Sequence, residues 1–129
     1  MTCRVLILVY RKPGMTPEDF KRHYETVHIP LVREIAGPTF PLSHVRRYIR
    51  RTKQPDGTYS AALLSGVQGD FGFDAVSELT YEDEVAFRES FAAMNAPEAA
   101  KRISEDCAMF MDQSKAPVVL LEDCVETCR

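Results

Sequence analysis

The chain has 129 residues, of which 45% are hydrophobic and 27% are charged, the balance of an ordinary soluble globular protein. This length predicts a single domain spanning residues 1–129. A formal net charge of −3 and a pI near 5.6 give no electrostatic reason to expect a nucleic acid or an anionic membrane as partner. No apolar run approaches the roughly 18 residues of a membrane span, and the N-terminus lacks a secretion-signal pattern. We therefore expect a cytoplasmic protein.

The predicted elements follow the order β-α-β-β-α-β. Strands are predicted over residues 3–10, 43–52, 71–79 and 118–121. A first helix is predicted over residues 16–35, and a second helix is predicted to be capped by Thr80 with Asp83 and broken at 95–97. Between the second and third strands, a turn is predicted at 54–57 and a loop over 58–70. This order predicts an α+β fold, a ferredoxin-like antiparallel sheet with helices on one face.

The first strand is apolar on both of its faces, although helices can cover only one face of such a sheet. The uncovered face is therefore expected to pack against a second copy of the chain. A symmetric homodimer is the simplest such assembly.

The start of the first helix is strongly marked. Residues 12–14 are Lys-Pro-Gly, which favours a turn. Thr16 is a good N-cap, Pro17 suits the first helical position, and Asp19 completes a capping box.

A histidine lies where this helix should kink or end. Pro30 removes a backbone donor and clashes with the preceding turn, and His28 follows Tyr24 by four residues, so the two side chains can meet. An imidazole titrates near neutral pH and can accept and return a proton, while the Tyr24 phenol can stabilise a developing oxyanion. The alternative is that His28 only caps the helix or fills a half-buried position.

The second strand is unusually basic. Its alternation places His44, Arg46, Tyr48 and Arg50 on one face. The two arginines could hold a substrate carboxylate through paired hydrogen bonds. Alternatively, they lie at the sheet edge or pair with acidic residues of the fold or the dimer, such as Glu78, Glu105 and Asp106.

Other chemistries have little support in the sequence. No Gly-x-Ser-x-Gly elbow and no phosphate-binding loop occurs. Two histidines of the first helix, His23 and His28, should diverge by about 140°, which disfavours a shared metal ion. The cysteines, which are Cys3, Cys107, Cys124 and Cys128, form no C-x-x-C pair and are expected to be free thiols.

Residues 11–31 resemble the opening signature of EthD-domain proteins of the dimeric α+β barrel superfamily, including its Tyr-x-x-x-His-x-Pro motif. Residues 103–112 resemble the second-helix region of that family. The likeness extends to small fungal polyketide-pathway proteins that are implicated as cofactor-free decarboxylases, dehydratases or cyclases. It implies an acid-base or substrate-orienting role for His28 and a cavity-lining role for Tyr48.

With the acid-base pair of His28 and Tyr24, this resemblance implies a cofactor-independent lyase of the decarboxylase type, acting on an aromatic polyketide intermediate in secondary metabolism. The alternatives are a dehydratase or cyclase on the same site, a non-catalytic module that binds a hydrophobic metabolite, and a cofactor-free oxygenase. Haem binding is a minor further possibility. The predicted catalytic residues are His28, Tyr48 and Tyr24, and the predicted substrate-binding residues are Arg46, Arg50, His44, Phe20 and Tyr10. No cofactor and no metal ion is expected.

Overall fold

The structure, a computed structural model, describes residues 2–129. Its strands and helices, in chain order, are β1 (Cys3–Val9), α1 (Pro17–His23), α2 (Ile29–Ala36), β2 (Ser43–Tyr48), β3 (Arg51–Lys53), β4 (Tyr59–Ala61), β5 (Ala75–Tyr81), α3 (Glu84–Asn95), α4 (Pro97–Phe110) and β6 (Val118–Leu121). Among these described helices, none is both long enough and apolar enough to cross a membrane.

Four strands form one antiparallel sheet in the order β2-β5-β1-β6. The two helical segments follow β1 and β5, as the sequence predicts, and they cover one face of this sheet. The predicted α+β fold of ferredoxin-like topology is therefore confirmed. The remaining strands, β3 and β4, form a separate two-stranded ribbon.

The alternation along β1 and β5 determines what each face of the sheet carries. Val5 and Val9 of β1 and Ser77 of β5 are almost fully buried on the helix side. Leu6 and Leu8, which point to the other face, are only half-buried. An apolar strip therefore remains partly exposed on the face without helices.

The first helix begins as predicted but contains an irregular turn. The Thr16 hydroxyl accepts a hydrogen bond from the Asp19 amide at 3.1 Å, and Pro17 occupies the first turn. Near His28, where the sequence predicts a kink or an end, the helix passes through one π-helical turn, residues Tyr24–His28, and then continues as α2. Pro30 has no N–H to offer a carbonyl four residues back, and an extra residue in the preceding turn accommodates it. Gly37, with φ of 52°, then ends the helix.

The second predicted strand is divided in two. It ends at Tyr48, and β3 pairs with β4 across the turn that contains Gly57, whose φ is 87°. The loop prediction for residues 58–70 is wrong at Tyr59–Ala61, which form β4. An Asp-Gly turn between extended segments is a hairpin signal, so the sequence did carry this information.

The start of the second helix also differs from the prediction. Thr80 lies within β5, where it pairs with Arg4, and does not cap the helix. The N-cap is Asp83, whose carboxylate accepts a hydrogen bond from the Ala86 amide at 2.8 Å. The predicted break at 95–97 and the last strand at 118–121 are confirmed.

A buried ion cluster attaches the ribbon to the sheet. Asp74 lies 2.8 Å from Arg11 Nε and 3.2 Å from Arg51 Nε, and its side chain is 4% exposed. Arg51 also donates hydrogen bonds to the carbonyl oxygens of Phe71 and Phe73 at 2.6 and 2.8 Å. Asp74 therefore compensates two partly or fully buried guanidinium groups.

Candidate active site

A cavity of about 210 Å³ lies between the helix-covered face of the sheet and the helices. Its wall is mostly apolar, with contributions from Ile7, Val32, Leu79, Phe91, Met94 and Ile103. The functional groups that it presents belong to Tyr24, His28, His44, Tyr81 and Cys107. No lysine, arginine, aspartate or glutamate from residues 2–129 lines it. The cavity therefore suits an apolar ligand that meets a few polar groups.

One carboxylate holds two histidines next to this cavity. His28 Nδ1 lies 2.8 Å from Asp106 Oδ2, and His23 Nε2 lies 2.8 Å from Asp106 Oδ1. The three side chains are only 11 to 17% exposed. An ionised carboxylate only accepts hydrogen bonds, so a neutral His28 carries its proton on Nδ1 and keeps a lone pair on Nε2.

The π-helical turn explains why the two histidines converge. In a regular α-helix, residues five apart diverge by about 140°, which is the basis of the sequence argument against a metal ion shared by His23 and His28. The Ile29 amide instead bonds to the Tyr24 carbonyl, five residues back. This wider turn reduces the divergence, and both imidazoles reach Asp106. The premise of divergence is therefore wrong for these two residues.

Burial and the carboxylate act on His28 in opposite directions. Burial lowers the pKa of His28, and this effect outweighs the hydrogen bond that His28 donates to Asp106, which raises the pKa. The net pKa lies below the ordinary value of 6.5. At neutral pH the imidazole is therefore uncharged, and its Nε2 can act as a base.

Tyr24 supplies a neutral phenol beside His28. The two ring centroids are 5.7 Å apart, and the Tyr24 hydroxyl is 2.8 Å from Ser77 Oγ, a fully buried group. Burial raises the pKa of Tyr24 to about 12. The phenol therefore stays protonated and can donate a hydrogen bond to an oxygen in the cavity.

His44 lines the same cavity from strand β2. Its ring centroid is 6.3 Å from that of Tyr24. Both of its ring nitrogens are buried, and neither has a hydrogen-bond partner within residues 2–129. Burial, with the Arg46 charge, lowers the pKa of His44 to about 4. His44 is thus a neutral imidazole with one unused donor and one unused acceptor.

The structure places Tyr48 and Arg46 in a different cluster. Arg46 donates two hydrogen bonds to Glu25, from Nε at 2.6 Å and from Nη2 at 2.9 Å. The Tyr48 hydroxyl donates to the same carboxylate, and burial together with this bond raises the pKa of Tyr48. Neither side chain lines the cavity. The partner of Arg46 is Glu25, and not Glu78, Glu105 or Asp106.

The other three residues predicted to bind substrate also lie outside the cavity wall. Arg50 is exposed to solvent. Phe20 is buried in the core, where its ring packs at 5.7 Å from that of Phe110. Tyr10 makes an edge contact with Phe73 at 6.1 Å. Of the eight residues predicted from the sequence, the structure brings together His28, Tyr24 and His44.

Comparison with known proteins places this chain in a family. A model of the EthD domain matches residues 12–114. The chain belongs to the EthD domain family. No curated protein matches it.

Solved structures similar to this EthD chain share its fold. An ethyl tert-butyl ether d (ethd) family protein from Bacillus halodurans is 22% identical, with a TM-score of 0.57 over 96% of this chain and 100% of that chain. SnoaB, a cofactor-independent oxygenase from Streptomyces nogalater, is 12% identical, with a TM-score of 0.53 over 97% and 94%. A dimeric ferredoxin-like protein of unknown function from Thermobifida fusca is 13% identical, with a TM-score of 0.51 over 94% and 90%. The fold is that of the dimeric α+β barrel proteins.

The sequence analysis missed the residue that organises this site. Asp106 lies on α4 between Ile103 and Phe110, three and four residues away, so it shares their inward face. A carboxylate on an apolar helix face is a detectable signal. His23 and Ser77 were also missed, because their roles depend on contacts with residues far along the chain.

The described residues offer little for metal binding. No group of three or more histidine, cysteine, aspartate and glutamate side chains is arranged to hold a metal ion in this part of the chain. All four cysteines are free, as predicted, with Cys3 buried and Cys124 and Cys128 exposed.

Proposed function

We propose that this EthD protein is a cofactor-independent lyase that acts on an aromatic polyketide intermediate, with His28 as the acid-base residue. The observation that carries the proposal is the Asp106 and His28 pair, joined at 2.8 Å, with the Tyr24 phenol next to it on an apolar cavity. A base, a group that orients it and an oxyanion donor are what acid-base catalysis on a carbonyl compound requires.

The chemistry is a proton shuttle. His28 Nε2 removes a proton from the substrate, and the resulting imidazolium is stabilised by Asp106. Negative charge then develops on a substrate oxygen, and the Tyr24 hydroxyl donates a hydrogen bond to it. His28 returns the same proton to the product or to the leaving group, so the enzyme ends unchanged.

Decarboxylation fits this shuttle if the substrate enters as a neutral acid. His28 takes the carboxyl proton, the bond to the carboxyl carbon breaks, and its electron pair forms an enolate as CO₂ leaves. The imidazolium then protonates the carbon. A permanently ionised carboxylate would lack a cationic partner in the cavity wall, and its burial would be costly.

Dehydration or ring closure is the second candidate, and the uncharged cavity wall favours it. Here His28 removes a proton next to a carbonyl group, Tyr24 stabilises the enolate, and the proton goes to a departing hydroxide or to the new alkoxide. No step requires a charged substrate, which matches a wall without charged side chains.

SnoaB, the similar structure with 12% identity, is a cofactor-independent oxygenase. Oxygen consumption is therefore measured in every assay. Oxygen uptake that depends on His28 would replace the lyase assignment with an oxygenase.

We also propose a homodimer that forms through the sheet face opposite the helices. On that face Leu6, Leu8 and Val76 are half-buried, and Val45 is 37% exposed. Covering this apolar strip with a second copy would remove it from water.

The test is a cofactor-free incubation of the protein with an aromatic β-keto polyketide acid, followed by mass spectrometry. A mass loss of about 44 units, that of CO₂, supports decarboxylation, and a loss of about 18, that of water, supports dehydration or cyclisation. The same reaction is run with His28→Ala and Asp106→Asn, and with Glu105→Gln as a matched control, since Glu105 is the exposed neighbour of Asp106.

The expected result is turnover that both site variants lose and the control keeps, with all folds verified by circular dichroism. Turnover that survives in a folded His28→Ala protein would contradict the assignment. Ligand binding without turnover for every acid tried would instead favour a non-catalytic binding module.

A further inference from the structure

The polar groups of the cavity differ in whether the protein already satisfies them. Tyr24 bonds to Ser77, and His28 bonds to Asp106. Tyr81 has a weaker contact with Ser90 Oγ at 3.3 Å. Within residues 2–129, His44 is the only histidine of the cavity wall whose two ring nitrogens are both buried without a hydrogen-bond partner.

An unpaired buried imidazole is a costly arrangement. A buried donor or acceptor without a partner loses its hydrogen bonds to water and gains nothing in exchange. His44 has both an unpaired donor and an unpaired acceptor. A ligand group that both donates and accepts a hydrogen bond would correct them, and a hydroxyl group has this capacity.

The size of the cavity restricts the ligand further. A cavity of about 150 Å³ in an engineered protein core holds one benzene molecule. The present volume of about 210 Å³ therefore has room for one substituted aromatic ring. Three fused rings exceed this volume, so they would have to extend out of the cavity or rearrange its wall.

The uncharged wall of the cavity also restricts the ligand. No acidic or basic side chain of residues 2–129 lines the cavity, and Arg46, the nearest cation to His44 along the strand, is held by Glu25. An anionic or cationic ligand would remain unpaired in an apolar environment.

We propose that the cavity binds an uncharged monocyclic arene with a hydroxyl group, and that His44 is the residue that recognises this hydroxyl. The inference rests on the proposed function only in using the same cavity. It names the substrate class as a single phenolic ring, in contrast to a fused polycyclic or ionised compound.

The test compares the binding of four probes to the full chain by calorimetry. These probes are p-cresol, toluene, 4-methylbenzoate and anthrone. We expect p-cresol to bind roughly three- to tenfold more tightly than toluene, as one hydrogen bond provides, and the benzoate and anthrone not to bind measurably. Toluene binding at least as tight as p-cresol, or measurable anthrone binding, would overturn the proposal.

Two variants identify the recognising group. His44→Phe keeps an aromatic ring and removes both nitrogens, so the preference for p-cresol should disappear while toluene affinity is retained. Tyr24→Phe tests the competing assignment, in which the Tyr24 hydroxyl bonds the ligand, and the proposal expects this variant to keep the preference. A preference that survives in His44→Phe and disappears in Tyr24→Phe would assign the hydroxyl to Tyr24 and refute the role of His44.

Binding and turnover separate the two proposals. The expected binding pattern without any turnover would leave this inference standing and refute the lyase. Turnover of a fused polycyclic acid would instead support the lyase and refute this inference.

Discussion

Acid should destabilise this protein through His44, and the effect can be worked out from its surroundings. Burial, the Arg46 charge and His28 all disfavour the imidazolium, and only Glu25 favours it. The pKa of His44 is therefore about 4 in the folded state, against 6.5 for an ordinary histidine. In the unfolded chain His44 takes up a proton as the pH falls through 6.5, while in the folded chain it does not until the pH nears 4. The unfolded state therefore binds more protons, and stability falls over this window.

The size of the loss follows from the two pKa values. A difference of one pKa unit corresponds to about 1.4 kcal/mol between the protonation states. For His44 the linkage relation gives a loss of about 2 kcal/mol at about pH 5 and about 3 kcal/mol at about pH 4, relative to neutral pH. Burial also lowers the pKa of His28, so its contribution has the same sign.

His44→Phe isolates the contribution of His44. At neutral pH the variant should be equally or slightly more stable than the wild type, because it removes an unpaired buried polar group and keeps an aromatic ring. At about pH 5 its advantage should grow by about 2 kcal/mol. Urea unfolding, followed by circular dichroism at several pH values, measures the stability difference between the variant and the wild type at neutral pH and at about pH 5. A stability difference that does not change with pH would refute the reasoning, since it would mean that His44 titrates alike in the folded and unfolded chains.

Three further substitutions test the site and the fold. Asp106→Asn removes the negative charge and one of the two oxygens that accept from His23 and His28, so turnover should fall by at least about a hundredfold; kcat is measured beside that of Glu105→Gln. Tyr24→Phe should lower kcat by roughly a hundredfold with a smaller change in KM, because the phenol acts on charge that develops in the transition state; an unchanged kcat would exclude it as oxyanion donor. Asp74→Asn leaves Arg11 and Arg51 without a counter-charge, so urea unfolding should give a stability loss of about 3 kcal/mol or more.

Much of the fold could be predicted because its signals are local. The cap at Thr16, the turn at 54–57 and the break at 95–97 each depend on neighbouring residues, and each lies where the sequence indicates. The start of α3 was misplaced because Thr80 and Asp83 are both good caps. Pairing of Thr80 in the sheet decides between them, and that is a long-range effect.

The site was only partly predictable for the same reason. Alternation along β2 does direct His44, Arg46 and Tyr48 to the helix side of the sheet, but it cannot tell which of them faces the cavity. That depends on Glu25, which lies 21 residues before Arg46 and binds it. Asp106 is 78 residues from His28, and their contact also requires the π-helical turn.

The difference between the two clusters explains why residue type alone could not identify the acid-base group. In the first, Glu25 is neutralised by Arg46 and accepts from Tyr48, so every charged group already has its partner. In the second, Asp106 accepts hydrogen bonds from His23 and His28 at 2.8 Å, and no arginine or lysine of residues 2–129 pairs with it. A proton taken up by His28 creates an imidazolium 2.8 Å from that carboxylate, so Asp106 offsets part of the cost that burial imposes on this charge. His28 can therefore accept and return a proton, whereas the phenol of Tyr48 has no comparable capacity to accept one.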